Sequence, residues 1–318
     1  MSDSLIVRVT RIQTSGIDTL CASLVAEDCS LLPAFSAGAH IDVHLPCGVV
    51  RQYSLCGDPG VRTSYEIAVK REASSRGGSA YIHDSLNTGD QLRISRPRNN
   101  FALNPAPGHH ILLAGGIGLT PLLSMMWELS RRNDTFELFY FVRSMAHASF
   151  LATLDKARGR NGIHLCIGLD PDRTTGHLHR LLRFPSVGTH LYACGPGPFI
   201  SSVRDAAKDW SDGALRVEAF TQDAAIKMAG DSFEVELAKS MLTVSIEENR
   251  TIAETLRDAG VKIELSCEQG VCGTCLTRVL EGVPDHRDMF LSESEKNAND
   301  CMLICVSRAK SRRLVLDL

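Results

Sequence analysis

Nine residues near the C-terminus, Cys267-Glu-Gln-Gly-Val-Cys272-Gly-Thr-Cys275, constrain this chain more than any other stretch. Cysteines spaced C-x4-C-x2-C, followed by one distant cysteine, form the ligand set of a plant-type 2Fe–2S cluster. Three thiolates on one short loop must wrap a compact anionic group, so the backbone has to turn tightly and present N–H groups to the sulfides. Gly270 and Gly273 permit that approach because they lack a Cβ. Cys301 and Cys305 both lie downstream, and spacing alone allows either as fourth ligand. A zinc site, which usually takes two separated C-x2–4-C pairs, is one plain alternative. A group of buried thiols is the other plain alternative.

The chain has 318 residues, of which 11 are cysteines, so an evenly paired secreted disulfide framework does not fit. The length predicts two or three domains, each able to bury its own core. Lys+Arg 34 against Asp+Glu 37 gives a formal charge of −3, which argues against a nucleic-acid binder held by a basic face. Aromatics at 6% leave little material for base stacking. The start, MSDSLIVRVTR, lacks the basic-then-apolar order of a signal peptide. The uncharged stretch from Asn99 to Trp127 is broken by Pro105, Pro107, Pro121 and glycines and is not read as a membrane span. A cytoplasmic protein with no nucleic-acid or membrane partner is expected.

Three patterns follow one another. From Ser4 to Leu103, runs such as Ile41/Val43/Leu45 and Tyr65/Ile67/Val69 alternate with polar residues, which predicts an antiparallel barrel or sandwich. A short helix is expected over Ser79–Leu86, stopped at Asn87-Thr-Gly-Asp90. From His109 to Asp223 the order is strand, glycine turn, helix, repeated. Strands are predicted at His110–Ala114, Phe136–Val142, Ile163–Ile167 and Leu191–Ala193, with a helix over Leu122–Arg131, an α/β layout with a mostly parallel sheet. Ala224–Asp231 reads as a linker. Beyond it Phe233/Val235/Leu237 and Leu242/Val244/Ile246 predict two strands, and Thr251-Ile-Ala-Glu254 is a capping box opening a helix that stops at Gly260. Ser232–Leu318 carries 15 acidic against 11 basic residues, so this α+β segment is net acidic.

Gly115-Gly116-Ile-Gly118-Leu-Thr120-Pro121 follows an apolar strand and precedes a helix, where glycines let the backbone approach a pyrophosphate. The spacing is not G-x-G-x-x-G, and a plain strand-to-helix turn is the competing reading. Cys194-Gly195-Pro-Gly197 makes a second such turn. In Arg51-Gln-Tyr53-Ser54, the tyrosine can stack on a planar ring, the serine can hydrogen-bond a ring nitrogen, and the arginine can pair with a phosphate. Arg76-Gly77-Gly78-Ser79 adds an anion site before a helix.

In this order, the motifs resemble the ferredoxin–NADP reductase superfamily. More narrowly, they resemble the phthalate dioxygenase reductase and vanillate O-demethylase reductase family, over essentially the whole chain. The tail is the most specific part: the cysteine loop, Asp285-His-Arg-Asp288, Ser307-Arg-Ala-Lys310 and Leu314-Val-Leu-Asp-Leu318. The resemblance implies a multi-domain chain with an antiparallel β-barrel FMN domain at 1–104 and an α/β parallel-sheet NAD domain at 105–225. A linker at 226–231 and a β-grasp, plant-type 2Fe–2S ferredoxin domain at 232–318 complete it.

The resemblance further implies that Arg51, Tyr53 and Ser54 hold FMN, joined by Ala68, Val69 and Lys70 and by Arg76, Gly77, Gly78 and Ser79 at its phosphate. It places Thr120 between flavin and nicotinamide and Phe220, in Glu218-Ala-Phe, over the flavin. Gly116, Gly118, Cys194 and Gly195 frame the nucleotide, with Ser54 and Cys194 near hydride transfer and no acid–base catalyst. The Cys-x-Ser-Arg-Ala-Lys pattern makes Cys305 the fourth ligand beside Cys267, Cys272 and Cys275. The resemblance implies NADH as donor, but Arg143-Ser144 departs from the family pattern: a basic residue with a hydroxyl there can accept a 2′-phosphate, so NADPH is possible.

The implied activity is that of an NAD(P)H-dependent flavin iron–sulfur oxidoreductase, a monomer delivering electrons to a Rieske-type oxygenase component of aromatic catabolism. A reductase serving a ferredoxin or a diiron oxygenase is the alternative, and a non-enzymatic metal-binding scaffold is the rival from another class. His109-His110 is read as a solvated strand entry, Asp285–Asp288 as local salt bridging near the cluster, and Leu122, Leu123, Met125 and Met126 as core.

Overall fold

The computed structural model describes residues 4–73, 77–158, 161–211, 213–220 and 230–318. The chain separates into two compact units, Met1–Glu218 and Ala219–Leu318.

In the first unit the alternating region forms β1 (Ser4–Thr14), β2 (Thr19–Ala26), β3 (His40–His44), β4 (Val50–Ser54), β5 (Tyr65–Lys70), α1 (Gly78–Asp84) and β6 (Gln91–Ser95). The strands pair in the order β4-β3-β6-β1-β2-β5, every neighbour antiparallel. The sheet curls until its two edges meet, through a bridge between Leu55 and Ile67 and a 2.9 Å bond from Cys56 N–H to the Glu66 carbonyl. Period-two alternation explains the packing: Val7 and Val9 of β1 join Leu24, Ile41, Val43, Tyr65, Ile67 and Ile94 in the core, while Ile6 and Arg8 face outward.

The α/β region forms β7 (His109–Gly115), α2 (Leu119–Arg132), β8 (Phe136–Val142), α3 (Leu151–Ala157), β9 (Gly162–Ile167), α4 (Pro171–Leu181), β10 (Thr189–Gly195), α5 (Gly197–Ala206) and β11 (Leu215–Ala219). The order is β11-β10-β7-β8-β9, and the pairs from β10 to β9 are parallel. Chain order therefore reverses between β7 and β10, the position at which open α/β sheets bind ligands. Helix α2 starts three residues before the predicted Leu122, because Gly116–Gly118 makes a single tight turn running directly into it. Leu122, Leu123, Met125 and Met126 are buried, as expected.

His110 is a correction. It is fully buried rather than solvated, with its ring 5.2 Å from His190 and 6.1 Å from Tyr192. Strand β7 is central, so its second residue is covered from both sides by His190 on β10 and Phe136 on β8. Burial lowers the His110 pKa to about 4.

Long-range polar contacts join the two sheets of this unit. Gly38 N–H donates to Ser124 Oγ at 2.9 Å in a buried bond, Asn104 N–H to the Tyr192 hydroxyl at 2.8 Å, and Ile17 N–H to the Ala146 carbonyl at 2.9 Å.

The second unit contains β12 (Phe233–Leu237), β13 (Leu242–Ile246), α6 (Ile252–Asp258), β14 (Leu276–Glu281), β15 (Pro284–Asp285), α7 (Glu293–Ala298), β16 (Cys301–Leu303), β17 (Arg308–Ala309) and β18 (Arg313–Leu316). Its main sheet runs β13-β12-β18-β14-β16, with β18 parallel to β12 and antiparallel to β14. The capping box of α6 forms as predicted: Thr251 Oγ1 accepts from Glu254 N–H at 2.9 Å, and the Glu254 carboxylate accepts from Thr251 N–H at 3.0 Å. Such a cap contributes about 1 kcal/mol. Ile252 and Leu256 of the helix pack with Val235, Leu237, Ile246, Leu314 and Leu316.

Arg308 is the largest fully buried side chain. Its guanidinium lies over the Phe233 ring and donates to the carbonyls of Gly230, Asp231, Glu247 and Arg250. Of the expected 226–231 linker, residues 226–229 lie outside the described residues. Among the described residues no helix is long and apolar enough to cross a membrane.

Candidate functional site

The first unit brings Ser54, Cys194 and Glu218 together. Ser54 ends β4, Cys194 lies at the end of β10, and Glu218 is on β11. The Ser54 hydroxyl bonds the Glu218 carboxyl, whose other neighbour is the fully buried Cys194 thiol, 4.0 Å from Oε2. Desolvation raises the Glu218 pKa to about 8, only partly opposed by the Ser54 bond. Burial, with Glu218 adding to it, also pushes the Cys194 thiol well up. Around neutral pH the group is a protonated carboxyl, a neutral thiol and a hydroxyl: proton donors without net charge. The sequence reading placed Ser54 and Cys194 here but gave Glu218 no role. Its only signal was the Glu-Ala-Phe triplet, quoted for the phenylalanine.

Glu218 carries a pH prediction. Its pKa is higher in the folded chain than the ordinary 4.5, so its contribution to stability is present in acid and lost as pH rises from about 4.5 through about 8. In cofactor-stripped protein, Glu218→Gln, which mimics the protonated form, should flatten the fall of Tm between pH 5 and 9. Equal slopes for variant and wild type would count against the desolvated, protonated carboxyl.

Arg51 of β4 lies beside the start of α1: a Cβ on Gly78 would stand 2.6 Å from Arg51 Cγ. Ser79 Oγ accepts from Glu72 N–H at 3.1 Å. Burial raises the Tyr53 phenol pKa, with Arg51 nearby as a lowering influence. Ala68 and Val69 are buried in β5, where the Val69 carbonyl is already bonded to His83 at 2.9 Å, and Lys70 pairs with Glu72 at 3.1 Å. Arg76 lies outside the described residues. Arg51, Gly77, Gly78 and Ser79 thus lie together where β4 meets the start of α1.

The two glycine turns touch. A Cβ on Gly118 would lie 2.2 Å from the Cys194 carbonyl oxygen and 2.6 Å from Gly195 N, so any larger residue must displace backbone. Gly116 opens onto free space on the same turn. That is the geometry a nucleotide requires, with backbone exposed at the point where strand order reverses. Thr120 is buried and donates its hydroxyl to the Ile117 carbonyl at 3.0 Å, which fixes the turn. Arg143 is exposed after β8, and Ser144 Oγ lies 2.9 Å from His147 Nδ1. Phe220, just past β11, is half-buried.

In the second unit the cysteines meet in two pairs. The Cys267 thiol is raised by its hydrogen bond to Cys272 and by burial, while the same bond draws Cys272 down to about 6. Cys305 is raised by its bond to Cys275, and Cys275 is drawn down by it. In each pair one thiol is drawn toward its thiolate, the form that metal binding requires. Two pairs suit two irons, each taking two thiolates. The donor set therefore fits a 2Fe–2S cluster. Among the described residues no three His, Cys, Asp or Glu side chains are grouped to hold one metal ion. The Cys301 thiol responds to Asp300, Glu295 and Asp288 and to no other thiol.

The loop glycines differ from expectation in their reason. Gly273 (φ +76) is covered by Phe290, whose Cζ would be 2.4 Å from a Cβ, and Gly270 (φ +66) by Val306 and Asp288. Protein packing behind the loop, together with left-handed backbone, excludes larger residues here.

A family model described as "2Fe-2S iron-sulfur cluster binding domain" matches residues 235–310, and one for the N-terminal domain of a dimethylamine monooxygenase subunit DmmA-like protein matches residues 93–212. A vanillate O-demethylase oxidoreductase of Pseudomonas sp. (strain HR199 / DSM 7063) is 43% identical over 303 residues, 95% of this chain and 96% of that protein. The chain belongs to the vanillate O-demethylase and phthalate dioxygenase reductase family. The family likeness extends to three dimensions. The solved structure described as phthalate dioxygenase reductase, "a modular structure for electron transfer from pyridine nucleotides to [2Fe-2S]", matches with a TM-score of 0.74 and 37% identity. It covers 99% of this chain and 98% of that one. An intact type IV self-sufficient cytochrome P450 monooxygenase matches with a TM-score of 0.84 and 35% identity, and this chain spans 41% of its length.

Proposed function

We propose that this chain is the reductase component of a Rieske-type oxygenase or O-demethylase system, carrying electrons from NADH through FMN and a 2Fe–2S cluster to its oxygenase. The pairing of four thiols carries the reading. The Ser54–Glu218–Cys194 site alone would suit any flavin reductase, whereas a one-electron centre in the same chain implies a one-electron acceptor. A bound flavin supplies the conversion between a two-electron hydride and single electrons, and the protein supplies placement and tuning.

In this reading residues 1–104 are the flavin barrel, 105–225 the nucleotide domain and 232–318 a β-grasp ferredoxin domain. Tyr53 flanks the flavin ring, Ala68, Val69 and Lys70 bring β5 backbone to it, and Arg51, Gly77, Gly78 and Ser79 hold its phosphate. Gly116, Gly118, Cys194 and Gly195 shape the nicotinamide pocket, and buried Thr120 keeps it dry. Glu218 and Ser54 present hydrogen-bond donors without adding charge. Exposed Arg143 is the group that would admit NADPH. Cys267 with Cys272 and Cys275 with Cys305 hold the two irons. The likeness to the P450 monooxygenase favours a haem monooxygenase as the second acceptor class.

The corner at Arg51 suits a terminal phosphate, and no adenine-stacking motif accompanies it, so the flavin should be FMN. Mass spectrometry of the released cofactor decides this, with FAD as the contrary result. Visible and EPR spectra of the purified chain test the rest. Flavin absorbance without an iron–sulfur EPR signal after reduction would reject the proposed electron path.

A further inference from the structure

The stretch Asp285–Asp288 is only half the local ion-pair cluster expected of it. Arg287 pairs with Asp285 at 2.6 Å, but the Asp288 side chain is fully buried. A buried carboxyl has to be hydrogen-bonded to persist. Asp288 Oδ2 accepts the N–H groups of Phe290 at 3.1 Å and Leu291 at 2.8 Å, while Oδ1 faces His286 Nδ1 at 3.8 Å.

Those two bonds fold residues 288–291 into a turn that presses on the cysteine loop at both of its glycines. Met289 N–H donates to the Gly270 carbonyl at 3.0 Å, and a Cβ on Gly270 would come within 3.2 Å of Asp288 Cα and Cβ. The Phe290 ring covers Gly273. Arg287 N–H donates to Ser307 Oγ at 3.3 Å, tying the same segment to the residues after Cys305. The loop segments carrying all four thiols are thus fastened to one turn, and one carboxyl oxygen organises that turn.

We propose that Asp288 is a positioning residue for the iron–sulfur site: by holding the 288–291 turn against Gly270 and Gly273, it sets the path of the cysteine loop and the direction of its N–H groups. The inference rests on the reading that the four cysteines hold a 2Fe–2S cluster. Hydrogen bonds to cluster sulfurs are among the determinants of reduction potential, so Asp288 acts on the potential without touching the cluster.

The test compares the purified full-length protein carrying Asp288→Asn, Asp288→Ala and Phe290→Leu, read by EPR g-values after dithionite reduction and by the reduction potential. The Asn oxygen can still accept both N–H groups, so Asp288→Asn should keep the wild-type g-values. Asp288→Ala and Phe290→Leu should both shift the g-values and displace the potential of whatever cluster remains. A residue needed only for folding would lower cluster content and leave the remaining signal unchanged, and that outcome overturns the proposal. So does a shift in Asp288→Asn as large as in Asp288→Ala, because charge rather than the turn would then be responsible. If Asp288→Ala takes up no cluster, Phe290→Leu decides: a shifted signal supports the proposal and a wild-type signal overturns it. Absence of the signal from wild type itself would instead refute the cysteine reading, and this inference with it.

Discussion

Cys305→Ser removes the iron–sulfur absorbance and EPR signal, and Cys301→Ser leaves both in place. The two cysteines are four residues apart in sequence, yet their surroundings differ. Cys305 is buried and hydrogen-bonded to Cys275, whereas half-buried Cys301 sits on β16 with acidic neighbours that, with burial, raise its thiol to about 11. Losing even an outer-shell partner of a metal site typically costs 10–100-fold in affinity, so loss of a ligand should lower cluster content by at least roughly tenfold. Iron and sulfide analysis of the two variants purified in parallel measures this. The reverse pattern would assign the fourth ligand to Cys301.

A chain ending at Asp231 still oxidises NADH with ferricyanide but no longer supports an oxygenase. The residues assigned to flavin and nucleotide all precede Ser232, and all but Phe220, which falls in the second unit, lie within Met1–Glu218. Ferricyanide, being small, can take electrons from flavin directly, so its reduction should proceed at a rate comparable to that of the full chain. Cytochrome c reduction and oxygenase turnover should fall by on the order of 100-fold, equivalent to about 2.7 kcal/mol in barrier. If the truncated protein drove the oxygenase as well as the full chain does, the cluster would lie off the electron path.

Where a feature is local, it was readable in the sequence. Alternation gave β5 and β12 nearly residue for residue, the Thr251–Glu254 box marked its helix, and cysteine spacing found three of the thiols that pair. Features set by distant neighbours were not readable. The bond from Gly38 to Ser124 spans 86 residues and joins two predicted domains into one unit, and no periodicity reports it. His110 looks the same in sequence whether water or His190 covers it. Glu218 is a single acidic residue on a strand, and its chemistry comes from Ser54 and Cys194, both far from it in the chain. The choice between Cys301 and Cys305 followed from family resemblance, since both spacings satisfy the loop.

Strand β18 lies between β12 and β14, so the second unit's sheet is completed by the last of its own strands. Until Leu316 has been translated, β12 and β14 have no partner between them, and the core around Leu314 and Leu316 cannot form. At ~5–20 residues per second, the roughly 100 residues of this unit take on the order of 5–20 s to synthesise, and its fold stays unfinished until the end of that interval. All four paired cysteines precede β18 in the chain, so each is made before the strand that completes the sheet.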